Sequence, residues 1–172
     1  VNQLLQHYPA EVNGILSKYP PQFKRSAVMP LLYMAQRKEG YVARQALADI
    51  AEICEISSTE VSSIVGFYSL FYDEPAGRYR IQVCTDLPCA LRGADKYLHE
   101  LCARLGIKEG ETTPDGLFTV EAVKCLAACH RAPMFQVQGD GDIIYYENQT
   151  VELTLAWMDE VRAKLKAGKE AA

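Results

Sequence analysis

Apolar residues recur every three or four positions over roughly the first seventy residues, and every second position at several places beyond, so the period divides the chain in two. From Phe23 to Glu39, Ala27, Val28, Leu31, Leu32 and Ala35 fall at helical spacing, and Gly40 ends the run. Pro30 lies inside it, so the helix either kinks there or begins later than the spacing indicates. Arg44 to Glu55 predicts a second helix with Leu47, Ile50, Ala51 and Cys54 on one face. Ser57 and Glu60 form a capping box, flanked by Ile56 and Val61 as a hydrophobic staple, and open a helix through about Phe71. The predicted helices gather no titratable or ligating residues. Residues 1–74 read as a small bundle made for packing or docking.

Asp73-Glu74-Pro75-Ala76-Gly77 breaks the helical pattern, and a mixed region follows over 75–172. Tyr79, Ile81 and Val83 alternate with Arg80 and Gln82, a strand that runs into Cys84. Leu91, Ala94, Leu98, Leu101, Cys102 and Leu105 trace an amphipathic helix ended by Gly106. Thr113-Pro114-Asp115-Gly116 is a turn, and Leu117 to Lys124 is a strand that delivers Cys125. Met134–Gln138 and Ile143–Glu147 are strands joined by Gly139-Asp140-Gly141-Asp142, a hairpin signal. A last helix runs from about Thr150 to Lys166 on Leu153, Leu155, Trp157, Met158, Val161 and Leu165. The fold class is α+β: a helical bundle, then β-α-β, a hairpin and a helix, an order that fits a thioredoxin-like layer.

The 172 residues are 49% hydrophobic, enough for a core without disulfide staples. The net charge of −4 leaves no footprint for nucleic acid. No apolar stretch approaches the ~20 residues that cross a bilayer, and Val1 to Ala10 does not read as a signal peptide. Six cysteines in such a chain are expected as reduced thiols.

Four of the six form two close pairs, Cys84-x4-Cys89 and Cys125-x3-Cys129, each following a predicted strand. If the strands are neighbours, two loops place four sulfurs around one point, with Cys89 at or near the start of the next helix. Four thiolates suit a [2Fe–2S] cluster at two sulfurs per iron, or one zinc ion in a closed structural site that serves an interaction module. A thioredoxin-type dithiol needs C-x-x-C, and the chain has none. Cys54 and Cys102 fall on apolar stripes and read as buried small hydrophobes. His130 follows Cys129 and reads as a neighbour of the site, while His7 and His99 carry no signal. The Phe67-Tyr68 and Phe71-Tyr72 aromatics suit packing or an interface. With no G-x-G-x-x-G, P-loop or H-E-x-x-H, the chain shows no nucleotide, flavin or hydrolytic site of its own.

Gly77-Arg78-Tyr79-Arg80-Ile81-Gln82-Val83-Cys84-Thr85 with Pro88-Cys89, then Asp115 to Thr119, then Cys125-Leu126-Ala127-Ala128-Cys129 with Ala132-Pro133, resemble the thioredoxin-like [2Fe–2S] subunits of respiratory complex I. Met29 to Leu32, Gly40-Tyr41 and Phe67-Tyr68-Ser69 extend the resemblance through the helical half. It implies that Cys84, Cys89, Cys125 and Cys129 hold the cluster. It also implies that a partner flavoprotein subunit binds NADH and FMN, and that the chain stores or passes one electron without a substrate site. It implies a place in the peripheral arm, on the cytoplasmic side of a bacterial inner membrane or the matrix side of a mitochondrial one. Similar subunits serve NAD-linked hydrogenases and formate dehydrogenases. One residue departs from the pattern: Ala127 stands where glycine is usual, which suggests either a negative φ there or a shifted loop.

Overall fold

The computed structural model describes residues 1–170 and divides into two compact units, Val1–Pro75 and Ala76–Ala172. The first holds α1 (Gln3–His7), α2 (Pro9–Leu16), a 3-10 stretch at Pro21–Ala27, α3 (Val28–Glu39), α4 (Arg44–Cys54) and α5 (Ser58–Phe67). Their apolar stripes close on one core in which Val12, Leu31, Leu32, Ile50 and Val61 are fully buried. Pro30 is the third residue of α3, where the amide has no partner inside the helix and its loss costs little. The helix therefore begins later than the spacing indicates.

The helix expected through Phe71 stops at Phe67, and Tyr68 is already extended. The Gln36 side chain accounts for this. Its Nε2 donates to the Leu70 carbonyl at 2.8 Å and its Oε1 accepts from the Tyr72 amide at 2.8 Å. Those bonds hold the segment against α3 in place of another helical turn. Phe71 then packs on Tyr33 with ring centroids 4.7 Å apart, while Phe67 is left 81% exposed.

A second feature of this unit was illegible in the pattern. Asp49, between apolar positions of α4, is 2% exposed. Its Oδ2 accepts from the amides of Gln3 at 2.9 Å and Leu4 at 3.1 Å, and its Oδ1 from Gln45 Nε2 at 2.8 Å. Asn2 Nδ2 donates to the Asp49 carbonyl at 2.9 Å. One buried carboxylate thus fastens the first turn of α1 onto α4.

The second unit holds β1 (Tyr79–Cys84), α6 (Leu87–Leu91), α7 (Ala94–Leu105), β2 (Phe118–Val123), β3 (Phe135–Gly139), β4 (Asp142–Tyr146) and α8 (Val151–Glu170). The sheet order is β2-β1-β3-β4; β1 and β2 are parallel, and the other neighbours antiparallel. Asp140 and Gly141 both have positive φ, so β3 and β4 are joined by the primed two-residue turn that matches strand twist. One sheet face carries Ile81, Val83, Phe118, Val120, Phe135 and Val137 against α7 and α8. On the other, Gln82 Nε2 donates to Glu121 at 2.7 Å and Gln82 Oε1 accepts from Gln136 at 2.5 Å and Gln138 at 2.7 Å. This is the two-residue alternation of β1 realised in packing. Among the described residues, no helix is long and apolar enough to cross a membrane.

Two helical stripes differ from expectation. The run expected as one helix from Leu91 is broken at Gly93, whose φ of 92° only glycine adopts readily, so Leu91 belongs to α6 and is 80% exposed. In α8, Leu153 is 55% exposed and Thr154 takes the inward place, fully buried. Its hydroxyl lies 2.6 Å from the Tyr97 hydroxyl, which makes a polar residue acceptable in the core.

Burial raises the Tyr97 phenol well above the ordinary value, against a smaller opposing effect of Thr154. The unfolded phenol ionises near pH 10 while the folded one stays neutral, so this contribution is complete below about pH 10 and lost as pH rises beyond it. Urea midpoints measured from pH 8 to 11 should fall, and Tyr97→Phe should fall less steeply.

Candidate metal centre

Parallel pairing of β1 and β2 sets Cys84 directly opposite Val123. The loops that leave the two strands therefore start side by side at one end of the sheet, as the strand-then-cysteine pattern anticipated. The first loop is stiff. The Cys84 amide donates to the Met134 carbonyl at 3.2 Å, Thr85 to Val123 at 2.9 Å and Cys89 to Asp86 at 2.8 Å. Pro88 occupies the first turn of α6, where its missing amide is harmless. Cys89 lies in the middle of this five-residue helix rather than at the start of a long one, because Gly93 separates α6 from α7.

The second loop turns more sharply. Cys129 opens a 3-10 turn to Arg131, closed by Arg131 N–H to the Ala128 carbonyl at 2.9 Å and Ala132 N–H to Cys129 at 3.3 Å. The segment after β4 is tied to it through Asn148 N–H to the Arg131 carbonyl at 2.7 Å. Ala127 has φ of +60°, so a negative φ does not spare the alanine. It takes the left-handed conformation that glycine would hold without strain, at a cost on the order of 1 kcal/mol. Ala127→Gly should raise the stability of the cluster-loaded chain by a few tenths to about 1 kcal/mol, less what glycine loses in the unfolded chain. The urea midpoint of the loaded protein reads the change, and Ala127→Val should move it the other way.

Cys84 and Cys89 are buried with Ala94, Ala132 and Met134, and Leu126, Ala128 and Cys129 pack onto them. Cys129 thus packs onto the buried group that includes Cys84 and Cys89, and the Cys89 thiol has Cys84 and Cys129 as its neighbours. Burial first, then these two neighbours, push it up to about 12. Cys125 is exposed. The structure thus packs Cys84, Cys89 and Cys129 in one group and leaves Cys125 at the surface. Among the described residues, no three His, Cys, Asp or Glu side chains converge where one ion would sit.

Cys54 and Cys102 are buried in the two separate cores, and burial raises both thiols, Cys54 to about 11. His130 is exposed beside the site. The sequence did not single out the apolar rim: Leu87 and Leu91 flank Cys89 on α6 and are 69% and 80% exposed. Arg92 is exposed next to them, as are Lys124, His130 and Arg131 beside the second pair. Leucines on either side of Pro88-Cys89, with Gly93 just beyond, were the available signal.

The donor set fits an iron–sulfur cluster. Buried thiols that crowd one another disfavour their own ionisation, and a cationic metal core relieves that repulsion. Two pairs on two loops match the two-sulfurs-per-iron requirement.

The family model described as thioredoxin-like [2Fe-2S] ferredoxin matches residues 12–162. NADH-quinone oxidoreductase subunit 2 of Thermus thermophilus is 42% identical over 153 residues, 89% of this chain and 81% of that one. An NADH-quinone oxidoreductase subunit of Rhizobium meliloti is 38% identical over 153 residues, 89% and 88% of the two chains. Among solved structures, an NAD+-reducing [NiFe]-hydrogenase in the air-oxidized state aligns with a TM-score of 0.62 at 22% identity. That alignment covers 78% of this chain and 23% of the hydrogenase chain, a likeness of fold. The match runs through both units and across both cysteine loops, and the chain belongs to the thioredoxin-like [2Fe–2S] ferredoxin family.

Proposed function

We propose that this chain is a one-electron carrier, its [2Fe–2S] cluster held by Cys84, Cys89, Cys125 and Cys129, in an NADH-oxidising assembly of the NADH-quinone oxidoreductase type. The observation that carries the reading is the side-by-side start of the two cysteine loops at the end of the parallel β1–β2 pair, with Cys129 of the second loop packed onto the buried group that holds Cys84 and Cys89 of the first. When bound, the cluster supplies reversible one-electron chemistry.

The residues divide the remaining work. Cys84 and Cys89, buried with Met134 and Ala94, keep water from the inner side, which lowers the potential. Lys124 and Arg131 place positive charge at the outer side, which raises it. Cys125 and Cys129 face the surface from which an electron arrives. Leu87 and Leu91 with Arg92 form an apolar and basic rim suited to an acidic-rimmed partner surface.

The partner in this reading is a flavoprotein subunit that carries FMN and oxidises NADH, with the helical unit adding to the docking surface through Phe67 and its neighbours. The chain is a non-catalytic subunit, peripheral to the membrane on the cytoplasmic or matrix side. The sequence relatives favour a quinone-linked assembly over the hydrogenase type, whose likeness is one of fold. Co-purification tests this directly: the tagged chain should bring down a flavin-containing NADH-oxidising subunit. A partner set that contains hydrogenase subunits would redirect the assignment. If loss of the cluster from an intact assembly left both flavin reoxidation and peroxide release unchanged, the electron-storage role would be rejected.

A further inference from the structure

Across β1, β2 and β3 the side chains stand in rows. Gln82 pairs with Gln136 and Arg80 with Gln138. The Cys84 amide donates to the Met134 carbonyl at 3.2 Å, which carries the same register one pair further. Parallel pairing adds Glu121 beside Gln82 and Val123 beside Cys84. Directly opposite residues share a face of the sheet, so Cys84 stands between Val123 and Met134, and the next row on that face is Glu121, Gln82 and Gln136. The two rows differ in kind. In the second, Gln136 Nε2 donates to Gln82 Oε1 at 2.5 Å and Gln82 Nε2 to Glu121 at 2.7 Å, so these amides donate along their own row. The first row offers Cys84 only hydrocarbon and a thioether, neither of which donates a hydrogen bond. Met134 is fully buried, and it is the one side chain larger than cysteine among the buried members of the group that holds Cys84 and Cys89.

We propose that Met134 holds the reduction potential of this site down, by keeping a side chain without a hydrogen-bond donor against Cys84. The inference rests on the cluster-binding reading. Reduction adds one negative charge to the cluster and its thiolates, and N–H or O–H donors at the sulfurs stabilise that charge and raise the potential. Met134 fills the place across the strand from Cys84 from which such a donor would come, and it keeps water out of the same place. The amides of Gln82 and Gln136 lie one row away and are turned to Glu121 and to each other. Burial of Cys84 alone would lower the potential through the dielectric; Met134 adds the absence of a donor, and a single polar substitution removes that part.

The test is a redox titration of the full, cluster-loaded chain, read by electron paramagnetic resonance of the reduced state. Met134→Gln keeps the length of the side chain and adds an amide donor, whereas Met134→Leu keeps it apolar. At the potential that holds the parent half reduced, Met134→Gln should raise the ratio of reduced to oxidised cluster about three- to tenfold, the scale of one hydrogen bond, and Met134→Leu should leave it within about twofold. Met134→Thr, smaller and easier to bury, brings a hydroxyl donor and decides the matter if the glutamine variant does not fold. Equal ratios in the polar and the leucine variants would overturn the proposal, because volume rather than polarity would then govern. So would folded polar variants that lose a cluster which Met134→Leu retains, since Met134 would then serve packing alone. A parent chain that binds no iron would count instead against the ligand assignment.

Discussion

Cys84→Ala or Cys129→Ala should leave a folded chain that no longer retains a [2Fe–2S] cluster, whereas Cys54→Ala and Cys102→Ala should keep it. Each of the first two removes one of four sulfurs, and an iron left with one protein thiolate is open to water and chelators. Cys84 ends β1 and Cys129 opens the 3-10 turn, so alanine at either position leaves the strand pairing intact. Cys54 and Cys102 belong to the helical core and the α7–sheet core, where truncation costs packing on the order of 1 kcal/mol and touches no ligand. The visible spectrum and the iron content read this prediction, with circular dichroism as the check on folding. A colourless, folded Cys102→Ala protein would mean that the wrong four thiols had been chosen.

Asp49→Ala should be the most damaging single change in the helical unit. It removes the acceptor for the Gln3 and Leu4 amides and for Gln45. Charge-assisted bonds of this kind are worth about 1.5–3 kcal/mol each, and the freed donors are partly compensated by water as α1 comes away. A net loss of about 3 kcal/mol follows. Asp49→Asn should recover part of it, because one amide oxygen still accepts. The urea midpoint of the full chain measures the loss. If the helical unit serves docking, the variant should also bind its flavoprotein partner more weakly while its visible spectrum stays unchanged.

Local pattern carried most of the fold and all four proposed ligands. Strand alternation before Cys84 and Cys125, the Asp140-Gly141 turn and the Ser57–Glu60 capping box each specify backbone within a few residues. Each is found where the sequence places it. The departures share a cause, namely partners distant in sequence. Gln36 stops α5 from across the bundle, and Tyr97 admits Thr154 into the core from another helix. Asp49 is buried because it caps a helix more than forty residues earlier, as its 45-residue and 46-residue separations from Leu4 and Gln3 show. Periodicity within one segment has no access to such bonds. Ala127 is the converse case: the sequence flagged the position, and only the backbone could show that the alanine bears the strain.

The central claim is that the two cysteine loops hold a redox cluster, and iron and acid-labile sulfide analysis of the purified chain tests it most directly, joined to electron paramagnetic resonance. The claim predicts two irons and two sulfides per chain, no signal when oxidised and a one-electron signal after reduction. One zinc per chain with no labile sulfide and no redox signal would contradict it, and would make the site a structural clamp.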